Sequence, residues 1–338
     1  MQSWLIQTSF LGDAVLTLPL IDRILEKGHR LKVISAPRNK ALFERAQNEG
    51  LKKYSHLLDV VVWDKKSIRS PWALHSFAND LRKEFIPERV FCVHRSFSSS
   101  LLAFFSGARE RVGFASGASS VLYTHCAPRE WESAQHEIEK NLDLLRVFEK
   151  VEIWNSRSAP ALLGKKQTQK DVVAFSLSSP WGTKIWDLNE ALKLMKQLVQ
   201  KGKELWVLGD HSFVQSAEFL EKEVNSRLFK NFVAQTNIQE WVDLISKAEV
   251  LVSGDSAAVH VANDLDVPTV ALFGPTIPDF GFAPWRTHSK ALGVDLACRP
   301  CDIHGPRLCP YGHHSCMKDL KAESVEGSIQ EILSSRSL

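Results

Sequence analysis

The chain has 338 residues, 44% of them apolar and 24% charged, with a formal net charge of +3. That length suits two domains of roughly 100–200 residues, each able to bury its own core. So small a charge gives no footprint of a nucleic-acid binder, and no apolar run approaches the roughly 18–20 residues of a spanning helix.

Met1-Gln2-Ser3-Trp4-Leu5-Ile6 runs straight into a core-like strand, with no charged segment leading into an apolar one. That start predicts no signal peptide and a cytoplasmic location. There the six cysteines stay reduced unless they hold a metal. Ser3–Thr8 reads as a strand, Ser9–Asp13 as a turn, and Ala14–Lys27 as a helix through Val15, Leu18, Ile21 and Leu25, stopped by Gly28. Strand Leu31–Ser35, helix 38–48, strand Val60–Trp63, helix 72–85 and strand Arg89–Val93 continue the alternation. A short helix Ser98–Phe105, a strand near Arg111–Phe114 and helix Ser133–Lys150 close the first half. The polar, aperiodic stretch around Pro160 marks a domain boundary.

The second half restarts with strand Val172–Leu177, the loop Ser178–Lys184, helix 188–200, strand Glu204–Leu208 and helices 212–224 and 238–247. Strand Val250–Ser253, helix Ser256–Leu265 and strand Thr269–Phe273 form a βαβ unit. A Pro- and Gly-rich loop, a cysteine-rich segment 298–316 and a helix near 322–334 follow. Regular alternation of strand and helix predicts parallel, doubly wound sheets, which take anionic ligands at the carboxyl ends of their strands.

Four stretches carry candidate chemistry. Asp13 stands at the turn after the first strand, either as a helix N-cap or as a general base. Ser178, Ser179, Thr183 and Lys184 occupy the equivalent turn of the second half, either gripping phosphate oxygens or as ordinary surface loop; the Walker A spacing is absent. Asp255, Ser256 and Ala257 open the helix of the βαβ unit, where free amides could face an anion. His260 lies one turn further on, in a supporting role. Arg95, Arg109 and Arg111 could bind acidic groups or simply solvate a surface. Cys298-x2-Cys301-x7-Cys309-x6-Cys316, with His304, His313 and His314 between, leaves three readings open: structural zinc, reduced thiols or a disulfide.

These motifs resemble, in order and spacing over nearly the whole chain, the ADP-heptose:lipopolysaccharide heptosyltransferases, glycosyltransferase family nine, and most the heptosyltransferase II branch. The residues are Ser9-Phe10-Leu11-Gly12-Asp13-Ala14-Val15, Gly182-Thr183-Lys184-Ile185-Trp186, Gln235-Thr236-Asn237, Asp255-Ser256-x3-His260-Val261-Ala262 and Leu272-Phe273-Gly274-Pro275-Thr276. Cys298-x2-Cys301 and Cys309-Pro310-x-Gly312-His313-His314-x-Cys316-Met317 complete the set. The resemblance implies an α/β GT-B fold, two Rossmann-like doubly wound domains facing across a cleft. On this chain they would be 1–155 for acceptor, a linker 156–170, 171–317 for nucleotide sugar, and a C-terminal helix in 318–338 that could return to the first domain.

It further implies an inverting transfer of heptose from ADP-heptose to the lipopolysaccharide inner core, with a transient visit to the inner-membrane surface and no nucleic acid. Asp13 would be the base and Lys184 the clamp on the leaving diphosphate. Ser178, Ser179, Thr183, Thr236, Asp255, Ser256, Ala257 and His260 would bind donor, and Arg95, Arg109 and Arg111 acceptor. No cofactor is essential on this reading, and a structural Zn at the four cysteines stays open. Ala257 stands where the family has Gly, and Asp187 where it tends to have Pro. Transfer of another nucleotide sugar, or sugar-nucleotide binding without catalysis, are the alternatives.

Overall fold

The computed structural model describes residues 1–115, 117–129, 134–155 and 158–335. In the first unit the order is β1 (Gln2–Gln7), α1 (Leu11–Glu26), β2 (Arg30–Ser35), α2 (Lys40–Asn48), β3 (Leu58–Val62), α3 (Pro71–Arg82), β4 (Arg89–Cys92) and α4 (Phe97–Phe105). Strands β5 (Glu110–Phe114) and β6 (His125–Ala127) and helix α5 (Glu137–Arg146) complete it. The second unit runs β7 (Val172–Ser176), α6 (Leu188–Gln200), β8 (Glu204–Leu208), α7 (Val214–Val224), β9 (Phe229–Asn231), α8 (Ile238–Lys247) and β10 (Val250–Gly254). It ends with α9 (Ala257–Asp264), β11 (Thr269–Phe273), β12 (Lys290–Gly293), α10 (Ser315–Lys318) and α11 (Ala322–Ser334).

Each unit contains one six-stranded sheet, ordered β3-β2-β1-β4-β5-β6 in the first and β12-β11-β10-β7-β8-β9 in the second. Every pairing is parallel. Both are the same doubly wound order, so each has its switch point beside its first strand, at β1/β4 and at β7/β10. Strand β10 is buried along its whole length, as a central strand covered on both faces must be. Beneath it Val173, Phe175, Val207, Val252 and Leu272 pack with Trp186 and Met317. The apolar face of α11, Val325, Ile329 and Ile332, is buried in this same second core.

The chain divides near the expected boundary, but residues 162–164 group with the first unit after 158–161 have grouped with the second. Leu162 accepts from the Gly50 amide at 3.2 Å and Leu163 from Arg45 at 2.6 Å. Ala159 accepts from Arg286 at 3.0 Å. The expected start of α5 at Ser133 lies outside the described residues, as do residues 156–157 of the linker and 336–338 of the C-terminal segment.

Candidate functional site

Most of the residues expected to bind donor gather at the β7/β10 switch point. The chain leaves β7 through Ser178–Trp181, makes one tight turn at 182–184 and enters α6, which Asp187 caps by accepting from the Asn189 and Glu190 amides. Lys184 reaches back from that turn, its Nζ donating to Asp255 Oδ2 at 2.6 Å with both side chains about nine-tenths buried. Thr276 Oγ1, in the turn after β11, donates to the same oxygen at 2.8 Å. A buried pair of this kind is held by geometry rather than by net stabilisation, because desolvating both charges offsets most of their attraction. Its effect is to fix a long lysine side chain in one position. Gly254 is needed at this junction: a Cβ there would stand 2.9 Å from the Lys184 carbonyl oxygen.

Helix α9 begins one residue later than expected, with Ser256 as its N-cap. The Ser256 hydroxyl accepts from the Ala258 amide at 3.3 Å, and the Asp255 amide donates to Leu272 at 3.1 Å. Of the amides expected to face an anion, those of Ser256 and Ala257 therefore remain. Ala257 is the first helical residue and is not among those with positive φ. A glycine here would serve no conformational need, so alanine fits this turn as well as the family residue. His260 is buried and stacks on Trp285 at 6.2 Å, with Phe282 at 6.1 Å, which makes it a packing residue of α9.

Among the other donor-side candidates, Ser179 Oγ accepts from the Trp181 amide at 3.1 Å and shapes the loop. Ser178 is half-buried against Gly209. Thr183 is spent on the Pro306 carbonyl. Thr236 precedes Asn237, and the capping box of α8 is made by Asn237 with Glu240.

The cysteine-rich segment folds onto this site as a strap. Arg299 donates to the carbonyls of Phe273 at 2.9 Å and Thr276 at 2.8 Å, and also to those of Gly274 and Val294. Cys301 donates its amide to Pro275 at 2.9 Å, His314 donates Nε2–H to the Thr183 carbonyl at 2.9 Å, and His304 stacks on Trp181 at 6.0 Å. Both walls of the Lys184 turn are thus pinned by residues 299–314. Neither Arg299 nor Thr276 was a site candidate from sequence, because their partners lie far along the chain.

The thiols of this strap lie near one another, since Cys298 and Cys309 both act on Cys301, and all three act on Cys316. Cys298 Sγ approaches His313 Nε2 at 4.0 Å, Cys301 Sγ donates to the Cys298 carbonyl at 3.3 Å, and Cys316 is buried in the second core with its thiol pushed up to about 11, first by burial. Cys309 is held down by backbone amides, His314 first. Among the described residues no three His, Cys, Asp or Glu converge as metal ligands, and all six cysteines are free. A tetrahedral ion needs four such donors at bonding distance.

In the first unit, Asp13 sits at the third position of α1, not at its N-cap, which is Phe10. Its Oδ2 accepts from the Phe10 amide at 3.2 Å, so it closes the first turn while staying half-buried at the carboxyl edge of β1. Gly12 lies inside the helix rather than in a turn. Arg95 follows β4 at the same edge and is held down to about 10, first by burial and then by Arg129, with Asp13 and Glu137 acting the other way. Arg109 and Arg111 are not brought there. They stand at the amino end of β5, where the Arg111 guanidinium donates to the carbonyls of Leu122 at 2.9 Å and Ala108 at 2.8 Å.

A different cation takes their place. Lys65 Nζ donates to Ser96 Oγ at 2.8 Å, Ser99 Oγ at 3.0 Å and His94 Nδ1 at 3.1 Å, beside the N-terminus of α4. Thr8 at the end of β1 joins the same ring at 2.7 Å from Nδ1. An ammonium can only donate, so Nδ1 is unprotonated. Burial, with Lys65 next, accordingly holds His94 down to about 4. Burial likewise brings Lys65 down to about 8, and among the described residues no carboxylate acts on it. In sequence it is one of two lysines after an aspartate and reads as surface charge.

Two doubly wound units with a lysine clamp and a helix N-terminus at one switch point define a nucleotide-binding protein of the GT-B class. The profile of Glycosyltransferase family 9 (heptosyltransferase) matches residues 74–311, and the chain belongs to that family. It is 25% identical over 334 residues to the lipooligosaccharide heptosyltransferase 2 of Campylobacter jejuni subsp. jejuni serotype O:6, covering 96% of each chain. The structure of Escherichia coli ADP-heptose lps heptosyltransferase II superposes with a TM-score of 0.76 at 17% identity, covering 100% of both chains. A family 9 glycosyl transferase from Veillonella parvula gives 0.77 at 16% identity, covering 99% of this chain and 97% of that one.

Proposed function

We propose that this glycosyltransferase moves a heptose from ADP-heptose to the inner core of lipopolysaccharide with inversion, in the manner named for its heptosyltransferase 2 relatives. The observation that carries the donor half is the Lys184–Asp255–Thr276 arrangement beside the α9 N-terminus. An ammonium has three protons. With one given to the Asp255 carboxylate and another lying 3.5 Å from the Asp255 carbonyl oxygen, one is left for a diphosphate oxygen, and the Ser256 and Ala257 amides add donors on the same side. As the glycosidic bond breaks, negative charge grows on the departing ADP. A cation already held in place stabilises that charge without reorganisation at the moment of reaction. Asp255, fixed by Lys184 and Thr276, keeps lone pairs for the sugar hydroxyls.

Asp13 takes the proton of the attacking acceptor hydroxyl. Its place at the open end of α1, with Arg95 close by, keeps a carboxylate available at the carboxyl edge of β1. The Lys65 ring supports an acceptor bearing a phosphate or carboxylate, since a half-buried cation with hydroxyl partners and no counter-charge invites one. No helix of the described residues is long and apolar enough to cross a membrane, and acting on a membrane glycolipid calls for a peripheral visit to the inner-membrane surface. Asp13→Asn should abolish transfer while leaving ADP binding by calorimetry within about twofold. Turnover within tenfold of wild type in that variant would remove Asp13 as the base. ADP-, UDP- and GDP-sugars assayed side by side decide the donor.

A further inference from the structure

Helix α4 carries aromatic side chains on its outer side. Its buried side holds Ser99, Ser100, Leu102 and Ala103, Leu101 and Phe105 pack partly buried against the core of the first unit, and Phe97 and Phe104 face outward. Phe97 is 58% and Phe104 48% exposed, far more than a phenylalanine serving a core. Neighbouring elements extend the patch. Phe105 meets His75 of α3 edge-on at 5.2 Å, one turn beyond Trp72, which is 85% exposed. On the other flank Arg111 lies over Phe104 at 5.6 Å and donates to Leu122, beside Val121 at 80% exposure.

The exposed charge beside this patch is predominantly basic. Of the acidic residues nearest it in sequence, Asp64 is half-buried, Asp80 is ion-paired with Lys83 at 2.7 Å and Glu110 with Arg89 at 2.6 Å. Lys66, Arg69 and Arg109 are exposed at its rim. Aromatic side chains surrounded by exposed cations suit the interface of an anionic bilayer, where rings enter the headgroup layer and cations meet lipid phosphates. With those carboxylates already paired or half-buried, the cations left to meet a partner favour an anionic one.

We propose that this face of the first unit, centred on Phe97, Phe104 and Trp72, docks the enzyme onto a membrane containing anionic lipid. This deepens the proposed function, on which it rests only for there being a membrane-borne acceptor. None of the three side chains belongs to the Asp13, Lys65 or Lys184 sites. Co-sedimentation of the full chain with phosphatidylglycerol-containing vesicles tests it, with pure phosphatidylcholine vesicles as control. Wild type should bind the anionic vesicles at least tenfold better, and less well as salt rises. The triple variant W72S/F97S/F104S should lose at least fivefold of that binding while keeping wild-type turnover on a delipidated, soluble acceptor. Undiminished binding by the variant, or no preference for anionic vesicles, would overturn the proposal. So would a wild-type dimer in sedimentation that the variant abolishes, because the patch would then belong to a second copy. Vesicle binding and transfer are read separately, so a failure of either leaves the other decided.

Discussion

Lys65→Met separates acceptor binding from folding, because the two should move in opposite directions. In the folded protein Lys65 falls from an ordinary 10.5 to about 8 through burial, with no carboxylate to oppose it. At about 1.36 kcal/mol per unit this is roughly 3 kcal/mol against the charged form, and for a half-buried group screening reduces it to roughly 1–2 kcal/mol. Removing the charge should therefore stabilise the protein by about 1 kcal/mol, read as a rise in Tm of roughly 2–4 °C. The hydroxyls left behind have each other: Ser96 and Ser99 are 2.8 Å apart, and Thr8 keeps His94.

The sign with pH follows from linkage. Below about pH 8 Lys65 is charged in both states and the penalty is constant; between 8 and 10.5 the unfolded chain binds more protons, so wild-type stability rises. The advantage of the Met variant should shrink over that window. Acceptor binding should behave oppositely. A charge-assisted hydrogen bond contributes about 1.5–3 kcal/mol, so the variant's acceptor KM should rise about 10- to 100-fold with donor KM unchanged. In wild type, kcat/KM for acceptor should fall above about pH 8. Chemical denaturation and steady-state kinetics between pH 6 and 10 measure both. A destabilised variant with an unchanged acceptor KM would show Lys65 to be a structural residue.

Lys184→Ala should weaken ADP binding by calorimetry about 10- to 100-fold and lower kcat as well. Asp255→Asn leaves a buried ammonium without its carboxylate; the variant should be destabilised, and ADP should raise its Tm by more than it raises that of wild type, since the diphosphate restores a counter-charge. An equal or smaller ADP shift would show that the pair does not face the nucleotide. Arg299→Met removes a guanidinium bonded to four carbonyls and should raise donor KM about tenfold with acceptor KM unchanged. Metal analysis of freshly purified protein decides between zinc and reduced thiols at 298–316: about one zinc per chain would make the four cysteines a structural site, and well under one would leave them thiols.

Much of the fold was legible because its signals are local. Helices α6 and α8 and strands β8 and β11 fall on their expected bounds, with Asp187 capping α6, Asn237 and Glu240 boxing α8, and continuous apolar runs marking the buried strands. Strands β6, β9 and β12 were not anticipated. Each is three or four residues long and lies at a sheet edge, where pairing to one neighbour makes the strand and no apolar run announces it.

The site was legible only where a strand led directly into it. Lys184, Asp255 and Ser256 each follow a buried run, and a parallel sheet brings such turns to one edge. The same rule explains the misplaced arginines: Arg95 leaves β4 at that edge, whereas Arg109 and Arg111 enter β5 at the opposite one, only a few residues further along the chain. Lys65, Thr276 and Arg299 depend on partners brought close only by folding. What these long-range contacts add is a difference in kind between two lysines. On the proposed function, Lys184 is matched by a carboxylate before ADP arrives, and its attraction to phosphate strengthens as the leaving group gains charge. Lys65 has no carboxylate partner and on the same reading would hold the acceptor in its ground state. Loss of Lys184 is then expected in kcat as well as in ADP affinity, and loss of Lys65 mainly in acceptor KM.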